Sequence, residues 1–150
     1  AAFGVPALAV SLEMPKEKQR GDPDADFSAA AHFTAHFGRL MMQADGLPDV
    51  DVLKIDVPST ATAQTPWRVT RLSRSQYYVP VSPGRERLTE PVRVDFEIRF
   101  DQDLLEPDSD VFAVRVAREV SVTPLSLDMT SRVDLEQLAR RLGAPTRGHG

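Results

Sequence analysis

Two histidines, His32 and His36, stand four residues apart. On a helix that spacing puts both imidazoles on one face, where they could share a zinc ion. The zinc-protease version of the pattern places a glutamate directly after the first histidine, and this chain has Phe33 there. Arg39 and Gln43 continue the same polar stripe, and an arginine opposes a bound cation. The pair is read as two solvated histidines on an amphipathic helix. Carboxylates come next. Asp22, Asp24 and Asp26 crowd one loop, and Asp49, Asp51 and Asp56 surround a later apolar run. Paired acids can bind Mg²⁺ or Mn²⁺. The first run opens like a calcium loop, but Phe27 and Phe33 stand where that loop needs glycine and glutamate. Helix capping and solvation account for the cluster. Glu106, Asp108 and Asp110 are read as a loop and a helix start, where negative charge is favoured.

Other chemistry is missing. The chain has no GxxxxGK[ST] or GxGxxG phosphate loop and no GxSxG nucleophile turn. No serine has a histidine partner by local pattern. Cysteine is absent, which removes thiol nucleophiles, disulfides and cysteine-based zinc sites. No catalytic, cofactor-binding or metal-binding residue is therefore assigned. One further constellation stands out: Arg68, Arg71, Arg74, Arg85 and Arg87 with Trp67, Tyr77 and Tyr78. Arginine and aromatics together can grip phosphate or stack on bases. They are also enriched at protein interfaces. A net charge of −4 on the whole chain favours the interface. Trp67, Arg71, Arg74, Tyr77 and Tyr78 are accordingly assigned to an oligomerisation arm, and nucleic acid is not the expected partner.

The elements that must position these residues follow from period and punctuation. The chain has 150 residues, 41% hydrophobic and 27% charged, which suits one soluble domain or a large piece of one. No apolar run reaches the ~20 residues of a membrane span. The absence of cysteine fits a reducing compartment, and a cytoplasmic location is expected. The opening residues contain no basic region ahead of an apolar core, so they are not read as a signal peptide. They read as the middle of a longer protein.

Residues 7–12 form a nearly continuous apolar run, expected as a strand buried on both faces. Phe27, Ala30, Phe33, Phe37, Leu40, Met41 and Ala44 recur at helical spacing and predict a helix over 27–44, capped by Asp26 and ended by Gly46 and Pro48. Residues 50–57 alternate as a second strand. Strand, helix and strand make a right-handed βαβ unit. Residues 67–100 carry half-exposed β patterns, cleanest over 92–100, and are expected to project from the body as a hairpin. A capped helix at 110–117, a strand at 120–125 and a helix at 132–142 with caps at Thr130 or Ser131 close the fold. The division is 1–58 as part of an α/β core, 59–107 as the projecting arm, 108–143 as a helix–strand–helix segment and 144–150 as a frayed tail.

Three segments together resemble the SurE survival-protein family, the metal-dependent 5′/3′-nucleotidases. Gly4-Val5-Pro6-Ala7-Leu8-Ala9-Val10-Ser11-Leu12 is similar to its G-[IV]-P-[AS]-[ILM]-A-[FV]-S-[LV] strand. Leu53-Lys54-Ile55-Asp56-Val57-Pro58 is similar to L-N-[VI]-N-[VI]-P. Ser109-Asp110-Val111-Phe112-Ala113-Val114, with Val120 to Thr130, resembles T-D-x-x-A-[VL] followed by [VI]-S-[VI]-T-P-L-x-[LI]-D-[LM]-T. Thr70 to Arg74 and Tyr77-Tyr78 resemble the family's arm. The chain departs at Lys54 and Asp56, where the family has asparagines, and at Arg118-Glu119, where it has Gly-Tyr. The resemblance implies the C-terminal half of a Rossmann-like, doubly wound, mainly parallel sheet with a β-hairpin arm and a C-terminal helix. It also implies hydrolysis of nucleoside monophosphates with Mg²⁺ or Mn²⁺, and a dimer or tetramer built through this half. In the family the metal and phosphate residues lie in an N-terminal half with no match here. The competing expectation is a non-catalytic oligomerisation or binding module.

Overall fold

The computed structural model describes residues 5–15, 22–43, 47–75, 77–82, 84, 87, 89, 91 and 95–143. Strands β1 (Ala7–Leu12) and β2 (Val52–Val57) flank helix α1 (Ser28–Gln43). They pair in parallel, with Leu8 opposite Leu53, Val10 opposite Ile55 and Leu12 opposite Val57. This is the expected strand–helix–strand opening. Asp26 accepts the Ser28 amide at 2.8 Å and helps start α1. Those bonds hold its carboxyl below the ordinary value for aspartate. The expected stop at Gly46 lies outside the described residues.

The side chains on one face of the sheet explain the core. Leu53, Ile55 and Val57 alternate along β2 and meet Ala29, Ala30, Phe33 and Phe37, which recur at helical spacing on α1. Val120 and Val122 of β6 (Val120–Leu125) complete this layer. The buried stripe of α1 is shorter than its apolar sequence. Phe27 and Leu40, both expected on it, stay 55% and 46% exposed.

β6 runs antiparallel to β2 and parallel to the short β3 (Trp67–Val69), giving the order β1-β2-β6-β3. Two of the three pairings are parallel, and β1 has one partner among the described residues. Ala9 and Ser11 of β1 are exposed and its other residues only partly covered, so its expected burial on both faces is not met. Trp67–Val69, expected within the projecting arm, is instead an edge of the main sheet. The reason is long-range: β6 offers β3 a free edge, and Arg68 sits in register with Ser121.

β4 (Tyr78–Val81) and β5 (Asp95–Ile98) form a separate antiparallel pair. This agrees with the expected hairpin, although Val92 and Val94 of the alternating run lie outside the described residues. Helix α2 (Asp110–Phe112) is capped by Ser109, whose hydroxyl accepts the Phe112 amide. It passes into a π-turn over Ala113–Ala117, closed by Arg118 in the left-handed region at φ 58°. Helix α3 (Leu135–Arg141) is shorter than the sequence predicts. Asp134, not Thr130 or Ser131, caps it by accepting the Gln137 amide at 3.0 Å. No residue of α3 is buried.

Candidate functional site

Opposite α1, the sheet presents polar residues. Strand alternation puts Ser11, Lys54, Asp56, Ser121 and Thr123 on that face, between the apolar residues of the core. Ser11 lies opposite Asp56, and Asp56 lies opposite Ser121. Ser121 and Thr123 are buried, and Thr70 joins their hydroxyls at 2.8 Å each. A fully bonded hydroxyl cluster is a stable way to bury polar atoms.

A cavity of about 370 Å³ opens where this face meets the start of α2 and the segment before β4. It sits at the carboxyl ends of the parallel strands β1 and β2, the usual place for ligand crevices in open α/β sheets. The Lys54 ammonium is its central charge. It pairs with Asp56 and reaches Asp110 at 2.9 Å. Burial disfavours the charged amine, but its bonds to Asp56 and then Asp110 outweigh this and hold its pKa above the ordinary lysine value. Asp56 also accepts the Ser11 hydroxyl at 2.7 Å. Asp110 takes the Ser73 amide at 2.9 Å and the Val111 amide at 2.8 Å.

A second group forms the opposite wall. The Glu13 carboxylate, just after β1, pairs with Arg115 and with Arg118 at 3.0 Å. It also accepts the Ser59 amide and hydroxyl. Arg115 bonds the Tyr77 hydroxyl and lies 5.4 Å from the ring centre. Burial is the main reason that Tyr77 ionises above the ordinary tyrosine range, with Arg115 opposing the shift. Tyr77 meets Tyr78 edge to face at 4.7 Å, and Tyr78 meets Phe96 likewise at 5.0 Å. The π-turn that carries Arg115 belongs to a class of irregular turns frequent at functional sites.

The five arm residues do not share one surface. Tyr77 and Tyr78 line the cavity. Trp67 lies on the α1 side of the sheet, edge to face with Phe37 at 5.1 Å and beside His36. Arg71 pairs with exposed Asp108 at 3.3 Å, and the Arg74 amide bonds Glu106. Hydrogen bonds from its own backbone and from Ser73 and Arg74 hold Glu106 below the ordinary glutamate range. Arg68 pairs with Glu119, Arg87 is exposed, and Arg85 lies outside the described residues.

The other candidates also find local roles. His32 and His36 stack at 6.4 Å on α1. Asp22 caps its loop by accepting the Asp24 amide. Asp49 binds Arg132 and Ser126, and Asp51 accepts the Leu127 amide, at the end of β2 away from Asp56. Among the described residues no three histidine or acidic side chains converge as a metal site. Asp56 and Asp110 face each other across an ammonium, which holds the place a cation would take. These residues do not fit a resident metal.

Ser11, Glu13, Lys54, Asp110 and Arg115 received no site role from sequence. The signal lay in β2, where two charged residues interrupt an otherwise apolar strand. It lay also in the departure from asparagine at those two positions.

A mainly parallel α/β sheet with α1 packed on one face and a cavity at its strand ends is a Rossmann-like architecture. The model of the family described as Survival protein SurE matches residues 1–79, more than half of the chain. The chain belongs to the SurE family. It is 41% identical over 140 residues to the 5′-nucleotidase SurE of Thermococcus gammatolerans, covering 90% of this chain and 50% of that protein. It is 36% identical over 148 residues to the 5′-nucleotidase SurE of Thermococcus kodakarensis, covering 96% and 55%. The chain thus spans about half the length of the curated relatives it matches. A SurE crystal structure from Aquifex aeolicus superposes with a TM-score of 0.63 at 20% identity, over 94% of this chain and 53% of that one. This likeness supports the Rossmann-like fold. No described helix is long and apolar enough to cross a membrane.

Proposed function

We propose that this chain is the C-terminal portion of a cytoplasmic, metal-dependent phosphatase that hydrolyses nucleoside monophosphates. The observation that carries the reading is 41% identity, along 90% of this chain, to a relative named a 5′-nucleotidase. In this reading the chain completes the sheet and supplies one wall of the substrate site, through Ser11, Lys54, Asp110 and Tyr77. A divalent metal, Mg²⁺ or Mn²⁺, would activate water in such a reaction. Its ligands are assigned to the part of the protein that this chain does not span. The chain's own residues bind and orient the substrate. The proposal also includes a dimer or tetramer. Val133, Leu135, Leu138 and Leu142 are all at least 41% exposed around α3, and apolar residues gathered this way suit contacts between copies.

The test is a chimera joining this chain to the portion of the T. gammatolerans protein that it leaves uncovered. EDTA-sensitive release of phosphate from nucleoside 5′-monophosphates is expected from the chimera and not from the chain alone. A soluble, inactive chimera would sink the reading. A second reading, a non-catalytic oligomerisation or binding module, is favoured by the ammonium between Asp56 and Asp110. It predicts the inactive chimera together with a stable oligomer of the chain by light scattering.

A further inference from the structure

We infer that the cavity beside Lys54 receives the uncharged end of the substrate, its sugar hydroxyls and base, while the phosphate stays outside it. This rests on the nucleotidase reading above. Charge decides the first part. Lys54 and Arg115 line the cavity against Glu13, Asp56 and Asp110, two cations against three carboxylates. Each cation is already paired, Lys54 with Asp56 and Asp110, and Arg115 with Glu13. A phosphate dianion entering here would compete with those carboxylates and then face them as like charges.

A neutral polyol meets the opposite situation. Asp56 accepts one hydrogen on each oxygen, from Ser11 and Lys54, and each oxygen has a second lone pair for a hydroxyl hydrogen, as an acidic residue offers ribose in dinucleotide sites. The ammonium of lysine has three hydrogens to donate. Lys54 directs two of them at Asp56 and Asp110, which leaves one for a ligand oxygen. Ser11 gives its hydrogen to Asp56 and keeps its lone pairs for a donor.

The base has a wall to rest on. Tyr77 and Tyr78 both line the cavity, and Tyr78 is 57% exposed. Bases stack on such rings with little regard to sequence. A volume of about 370 Å³ falls within the range of small-molecule sites.

The test is direct binding by the 150-residue chain, measured by titration calorimetry with adenosine, adenosine 5′-monophosphate and inorganic phosphate. Adenosine should saturate the chain, its monophosphate should bind within tenfold of it, and inorganic phosphate should give no binding heat. Tyr78→Ala, at an exposed position, should weaken adenosine about tenfold or more. Four results overturn the inference: saturable phosphate binding, a monophosphate more than tenfold tighter than adenosine, no adenosine binding, or unchanged affinity in Tyr78→Ala. An active chimera whose component chain ignores adenosine refutes this subsite alone. An inactive chimera whose component chain binds adenosine refutes the nucleotidase reading alone.

Discussion

Replacing Lys54 by methionine keeps the length of the side chain and removes its charge. Asp56 and Asp110 then face each other without a counter-ion, with side chains only 19% and 10% exposed. At the observed 2.9 Å to Asp110, Coulomb's law gives about 6 kcal/mol at an effective dielectric of 20 and about 1.4 in water. Lys54 is itself 30% exposed, so solvent screening and the desolvation already incurred reduce the higher figure. We expect Lys54→Met to destabilise the fold by about 2–3 kcal/mol at pH 7, a fall in melting temperature of roughly 5–10 °C. Adding Asp56→Asn should restore at least ~1 kcal/mol, because the repelling carboxylate is gone. Thermal melts of the wild type, both single variants and the double variant at pH 7 measure both effects. Additive single effects would refute the reasoning.

Two further predictions use other parts of the molecule. Phe37→Ala should cost about 3–5 kcal/mol, since Phe37 is 4% exposed in the core. Trp67, which packs against that ring, should then shift its fluorescence emission to longer wavelength; an unmoved spectrum contradicts the packing. On the alkaline side, Lys54 and Tyr77 both titrate above their ordinary values of 10.5 and 10.0. Their folded-state advantage is complete below the unfolded values and is lost as the pH rises through the higher folded ones. Melting temperature should fall above about pH 10, and less steeply in a Lys54→Met, Tyr77→Phe double variant. Equal slopes would remove these two groups as the cause.

Local pattern carried much of the fold. The strand at 120–125 has the boundaries its sequence predicts, and α1 agrees to within one residue at each end. Period and punctuation act within a few residues, and both elements are bounded by such signals. The edge at β3 was not legible, because Trp67–Val69 reads as any half-exposed strand and only β6, some fifty residues on, decides where it pairs. The C-terminal cap moved to Asp134 because three polar residues compete within five positions. The cavity was least legible of all. Alternation shows that Lys54 and Asp56 share a face, but not that Asp110 closes over them.

The bond from Lys54 to Asp110 spans 56 positions of chain, and the bond from Ser11 to Asp56 beside it spans 45. Closure entropy grows only with the logarithm of loop length, so neither contact has a clear lead over the other. The apolar layer is no more local, because Val120 and Val122 must fold back onto β2 to complete it. Cavity and core therefore stand or fall together, since both depend on the same return of the chain to β2. Anything that occupies the cavity protects the contacts that join distant parts of the chain and resists their local opening.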